Sequence, residues 1–315
     1  MNLHLYKELF KEFIDNLNTR TKIDSDIIEK DYYVCAILKE LSNNQDELQA
    51  YFKGGTAIYK ILDTMNRFSE DIDLTVKILP EQSNTKNKNR LKKSALGFQI
   101  EGLQLLKDES IDNKGSATGI YSYNSIYDTS GFPLYRAGII KVEATSFTVS
   151  EPFQKYKIEP LIYQLADEME RKILKEQFAI SEFEINIIKL ERMFIDKVFA
   201  AEFYYIREMY KDTSKHLYDI TVLSQTERIK KLLNNKKELE KLISYKRKEE
   251  INRIGGIDPN LKIKEFSYLK QNFNDSLLKE FENMQNKYLL NDNFKLNIND
   301  VKDALNKIIT NKNFE

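Results

Sequence analysis

The chain has 315 residues, enough for one large domain or two modest ones around a substantial core. Its 49 basic and 49 acidic side chains cancel, which excludes a globally basic coat, so any nucleic acid must be held by local patches. One cysteine excludes an internal disulfide, and two histidines are too few for a histidine-based metal cluster, so a metal here would be carboxylate-bound.

The start, MNLHLYKELFKEF, is charged throughout, and neither a leader pattern nor a long apolar span follows. The expectation is a cytoplasmic protein without membrane insertion. Leu5, Leu9, Phe10 and Phe13 recur at helical spacing and predict an amphipathic helix over residues 3–17. A second helix is expected from an Asp24/Asp26 cap to about Leu41, with Cys35 as a core filler. Glu29-Lys30-Asp31 falls in its first turns, where charges ordinarily serve the helix dipole and solvent. Residues 49–53 then read as a short strand, Ala57–Leu62 as a helix and Ile72–Ile78 as a strand.

Candidate chemistry concentrates in Phe52–Val76. Gly54 and Gly55 let the backbone approach a phosphate, and the helix after Thr56 aims its positive end at the same anion. Alternation places Asp71 and Asp73 on one strand face and Ile72, Leu74 and Val76 on the other. Paired carboxylates beside a phosphate cradle suit Mg2+ and point to metal-assisted phosphoryl or nucleotidyl transfer. The Asp-x-Asp spacing alone carries little weight, because Asp24-Ser25-Asp26 shares it and reads as a helix cap.

Residues 80–93 turn polar and carry Lys86, Lys88, Arg90, Lys92 and Lys93, either an RNA-touching face or a solvated surface. Residues 94–107 read as helical, and Tyr121–Tyr127 and Ile139–Phe147 alternate as strands. In the second strand Lys141, Glu143 and Thr145 share a face, so Glu143 either completes a three-carboxylate set or is an exposed strand glutamate. Pro152 and Pro160 mark a soft boundary, dividing the chain into 1–155, with the N-terminal helices, and a mainly helical 156–315.

A long helix is expected from about Glu184 to Tyr210, with Lys197 beside its apolar stripe. After a turn at Lys211–Ser214, Asp219 is placed to meet Lys197 across a helical hairpin, as a structural ion pair or as part of a site. His216 is a hydrogen-bonding turn residue or a general base. Arg228–Lys248 holds nine basic and two acidic residues on one helix, a nucleic-acid footprint or a solvated face.

Five blocks in order resemble one family. Glu29-Lys30-Asp31-Tyr32-Tyr33, Phe52-Lys53-Gly54-Gly55-Thr56-Ala57, Arg67-Phe68-Ser69-Glu70-Asp71-Ile72-Asp73-Leu74, Glu191–Lys197 and Lys215–Ile220 are similar to motifs of the AbiEii/AbiGii nucleotidyltransferase toxins. These belong to the DNA polymerase β-like nucleotidyltransferase superfamily. The resemblance spans residues 29–220 and implies an α+β fold: a polymerase β-like mixed sheet with helices, then a C-terminal helical bundle closing over the nucleotide. It implies that Asp71 and Asp73 hold Mg2+ (or Mn2+), with Glu143 aligning only loosely as a third ligand. Gly54, Gly55 and Thr56, with Arg67 and Ser69, would bind the NTP triphosphate, and Lys197 and Asp219 would complete the catalytic site. Asp196 stands where the family has Glu, and Lys215 where Arg is commoner, losing a bidentate fork.

The implied function is that of a toxin from a toxin–antitoxin, abortive-infection phage-defence system. It would transfer NMP from NTP to an RNA acceptor, the tRNA 3′ end, and be neutralised by a cognate antitoxin protein or repressor. A protein AMPylase or kinase-like transferase on the same scaffold, or a non-catalytic NTP-binding module, are the alternatives.

Overall fold

The computed structural model describes residues 1–62, 67–127, 138–253 and 255–314. A 3-10 turn at Leu3–Leu5 precedes α1 (Lys7–Thr21), so the first helix starts later than expected, after Tyr6 leaves helical geometry. The second, α2 (Ser25–Leu48), outruns its predicted end and stops where Gln49 turns left-handed. β1 (Ala50–Lys53) leads directly into α3 (Gly54–Ile61), so the glycine pair is the first turn of the helix and not a loop before it. β2 spans Ile72–Val76 and α4 Asn84–Leu96, with Ser83 accepting from the Lys86 amide as its cap.

The helix expected over 94–107 is absent. α4 ends at Gly97, Gly102 takes a φ of +82°, and a strand, β3 (Leu103–Leu105), follows. β4 (Ile111–Asn113), β5 (Ser116–Tyr123), β6 (Ile139–Thr145) and β7 (Phe153–Ile158) come next, then α5 (Leu161–Gln164) and α6 (Glu168–Phe178). Phe183–Ile188, predicted to open a long helix, is strand β8: Phe183, Ile185 and Ile187 are buried while Glu184 and Asn186 are not, a period of two. α7 (Leu190–Tyr205) and α8 (Tyr210–Gln225) form the hairpin, and the expected turn at Lys211–Ser214 lies inside α8. α9 (Glu227–Leu233), α10 (Lys236–Asn252), α11 (Asp275–Tyr288) and α12 (Ile298–Thr310) complete the chain.

The described strands form one eight-stranded sheet in the order β3-β5-β6-β2-β1-β8-β7, with β4 on β5. β2 runs antiparallel to β1 and parallel to β6, and β1 runs parallel to β8, so the sheet is mixed and the fold α+β as expected. One face is apolar, through Ile72, Leu74, Ile140, Val142, Ala144 and Tyr121. α2 and α4 cover it: Tyr33 stacks on Tyr123 with centroids 4.1 Å apart, and the Tyr121 hydroxyl donates to the Ala95 carbonyl at 2.9 Å. The other face carries Asp73, Glu143 and Thr118 in register across β2, β6 and β5, all half-buried.

Two compact units divide the chain, Met1–Ile187 and Ile188–Glu315. β7 and β8 extend the sheet, β8 pairing alongside β1 at Phe52 and Ile187. The described elements of the second unit after β8 are helical, with Phe199 edge-on to Phe266 in its core. Arg192 is buried there and bonds Asp196 and Glu249, while Lys246 pairs with Glu250 at 2.7 Å. Among the described residues no helix is long and apolar enough to cross a membrane.

Candidate functional site

The site is built where β1 hands over to α3 beside β2. Lys53 and Asp73 are register partners, so Gly54 lies at the level of the Asp73 side chain. A β-carbon on Gly54 would overlap the Asp73 carboxylate, with Cγ only 2.8 Å away, and the φ of +82° disfavours any side chain there. A β-carbon on Gly55 would lie 2.8 Å from Ser69 Oγ and 3.3 Å from Arg67 Nη2. The two glycines are thus the point on which Asp73, Ser69 and Arg67 converge. The Thr56 hydroxyl donates to the Asp71 carbonyl at 2.6 Å, tying the first turn of α3 to the start of β2. What a helix start leaves for an anion at Thr56 is its backbone N–H. Arg67 is buried, its guanidinium 5.0 Å from the Tyr59 ring centroid and donating to the Phe68 carbonyl.

Asp71 and Asp73 flank the buried Ile72 and so share the half-buried side of β2. Asp73 faces Glu143 in register across the parallel β2–β6 pair, but the Glu143 carboxylate takes Lys141 at 2.7 Å. Among the described residues no three His, Cys, Asp or Glu side chains form a cluster able to hold a metal, so the three-carboxylate set is not assembled as a cage. The aspartate pair nonetheless suits a hard cation. Its donors are carboxylate oxygens, and the missing β-carbon of Gly54 clears the space beside Asp73.

The Glu29-Lys30-Asp31 triplet is not a solvated first turn; all three side chains are buried. Glu29 accepts from Ser125 Oγ at 2.6 Å and from the Ile126 amide at 2.9 Å, and burial pushes its carboxyl above the usual range. Lys30 pairs with Glu70 at 2.8 Å. Asp31 pairs with Lys60 of α3 at 2.5 Å and accepts from the Leu161 amide at 2.6 Å. Burial, the largest single influence, would lower the Lys60 pKa, but Asp31 and Cys35 together, by charge and hydrogen bonding, turn the net shift upward. The signal for this burial lay in the neighbours. Ile27-Ile28 and Tyr32–Leu38 leave α2 no polar face, and a helix apolar all round is buried all round.

In the second unit, Lys197 Nζ lies 2.8 Å from Asp219 Oδ2, and Asp219 is wholly buried. Asp196 turns to Arg192 and the Lys246 network. His216 lies within α8 and stacks on Tyr204 of α7, so it is not a turn residue. The basic stretch 228–248 is split between α9 and α10, and part of it serves the fold. Arg228 pairs with Glu191 at 2.7 Å, Lys246 is buried, and Arg247 donates to the Leu261 carbonyl at 3.1 Å. In 86–93, Arg90 is likewise turned inward, donating to the Lys77 carbonyl and Gln82 at 2.6 Å each.

No curated protein matches this chain. One solved structure it is similar to is MenT4, a nucleotidyltransferase toxin from Mycobacterium tuberculosis H37Rv. The two are 12% identical over 94% of this chain and 98% of that one, with a TM-score of 0.49. The sequence profile described as nucleotidyl transferase AbiEii toxin, type IV toxin–antitoxin system, matches residues 36–307. That span takes in both the glycine cradle with its aspartate strand and the Lys197–Asp219 pair, and the chain belongs to the AbiEii family of nucleotidyltransferase toxins.

Proposed function

We propose that the protein transfers NMP from an NTP to a hydroxyl of an RNA acceptor, the tRNA 3′ end, and that a cognate antitoxin restrains it. The observation carrying this reading is the glycine pair at the start of α3 packed against the Asp73 carboxylate. There, N–H groups suited to a triphosphate and oxygens suited to a cation adjoin each other. The cytoplasm, where charged and uncharged tRNA reside, is the compartment this reading requires.

Asp71 and Asp73 would hold Mg2+ or Mn2+, which when bound activates the acceptor hydroxyl and offsets charge on the leaving pyrophosphate. The amides of Gly54, Gly55 and Thr56 would receive the phosphate oxygens, with Ser69 Oγ beside Gly55 as a further donor. Arg67 adds a fixed positive charge close to that turn. The acceptor oxygen attacks the α-phosphorus, and the bond from that phosphorus to the β-phosphate oxygen breaks. Pyrophosphate leaves and the acceptor proton passes to water. Lys197 enters through the family resemblance. Its ammonium is paired with the buried Asp219 at 2.8 Å.

The test is incubation with total RNA and each α-32P-labelled NTP in turn. Label should enter a nuclease-sensitive product with the wild type and not with Asp71→Ala or Asp73→Ala, both remaining folded by circular dichroism. Full activity in either variant sinks the site assignment. Label in a protease-sensitive product moves the acceptor to a protein, and transfer from γ-labelled rather than α-labelled NTP makes the reaction a phosphoryl transfer. No transfer from any NTP leaves only a binding module.

A further inference from the structure

One turn of α2 grips three different segments around the candidate site. Glu29 holds the 125–126 backbone, Asp31 holds α3 through Lys60, and Lys30 holds Glu70. The last contact has the shortest route to the chemistry. Glu70 stands between Ser69, whose Oγ lies against Gly55, and Asp71. Residues 68–71 belong to no helix or strand. Side-chain ties reach this segment from two helices: Thr56 Oγ1 to the Asp71 carbonyl, and Lys30 Nζ to Glu70 Oε2. Lys30 is buried, so the tie comes from within the core, beneath the loop. It also answers the charge of Glu70, which would otherwise add to Asp71 and Asp73 alongside it.

We propose that Lys30 is a positioning residue of the nucleotide site, acting through Glu70 to fix Ser69 and Asp71 against the first turn of α3. This rests on the function proposed above. Lys30→Met alone takes the ammonium away from the half-buried Glu70 carboxylate and leaves a hole in the core, so Lys30→Met/Glu70→Gln, which removes both charges, is the companion variant. Two measurements on the full chain decide it: amide hydrogen exchange of residues 67–73, and kcat for α-label transfer at saturating NTP.

In both variants exchange over 67–73 should quicken by about tenfold or more while β6 and α7 keep wild-type protection. Turnover should fall about 100-fold, as for misplaced catalytic groups. The double variant should lose no more than the single, because the two residues act as one unit. Lys30→Arg, which keeps the charge, should recover most of the rate. Unchanged exchange over 67–73 overturns the proposal, as does wild-type kcat in a double variant whose single parent is impaired, since that would mark the pair as structural only. If the wild type transfers no label, the functional reading fails, yet exchange still decides whether Lys30 positions the loop.

Discussion

At Gly54 two demands coincide: a φ of +82°, and a carboxylate lying where a β-carbon would be. Gly54→Ala should therefore do more than strain the backbone, because its methyl has to displace Asp73. We expect a stability loss of about 1–2 kcal/mol from the left-handed conformation, measured by urea unfolding. Label transfer should fall by about 100-fold or more, beyond what that stability change explains. Transfer within threefold of wild type would show that Asp73 is not held by this contact. At this scale the strand face of Asp73 was legible, whereas the place of the glycine pair inside the first turn of α3 was not. Glycines and alternating aspartates announce their geometry because glycine permits conformations other residues resist, and period-two alternation in a strand fixes which face a side chain takes. Thr56 was legible in place but not in role, since no local pattern reveals that its hydroxyl would close on the Asp71 carbonyl 15 positions ahead.

The elements that misled were those whose partners are distant in sequence. Phe183–Ile188 reads as a helix in isolation and becomes a strand because β1 offers it an edge. The charges of α2 read as solvated because their counter-groups, Lys60, Glu70 and the 125–126 backbone, lie 29 to 97 residues ahead. α2 also yields a pH prediction. Burial raises the Glu29 carboxyl above its unfolded value, so the native state binds the proton more tightly, and stability falls as pH rises from the ordinary glutamate range through the raised value. Glu29→Gln keeps an acceptor for the Ile126 amide and carries no titrating charge. The thermal midpoint of the variant relative to wild type should climb as pH rises across that window and level off above it. A difference that does not change with pH would show that Glu29 titrates alike in both states.

On the scale of the whole molecule, 49 positive and 49 negative side chains leave no general attraction for RNA. Arg90, Arg228, Lys246 and Arg247, counted in the basic stretches of the sequence, are engaged in intramolecular bonds. RNA binding should therefore depend only modestly on salt. A plot of log affinity against log salt for tRNA should have a slope shallower than about −4, corresponding to contacts with roughly five phosphates or fewer. Fluorescence anisotropy across a salt series measures it, and a slope near −10 would reveal an extensive basic footprint. The sheet and helical segments were foreseen as α+β, whereas the return of the chain to the sheet after Pro152 was not. Prolines mark a break in local structure, but strand pairing decides where a segment joins: β7, between Pro152 and Pro160, and β8, beyond both, are each part of the sheet.

The alternation in β2 has a consequence for how this chain can change. Ile72 and Leu74 are buried against the apolar side while Asp71 and Asp73 hold the polar one, and Asp73 is in step with Lys53 and Glu143 on its two neighbours. Inserting or deleting a single residue between Asp71 and Asp73 would turn one of the carboxylates into the hydrophobic core and shift its level against both flanking strands. Point substitution can tune this site, but its reading frame tolerates no change in length. Related chains that vary in length should place their gaps outside β2, in the connections before and after it.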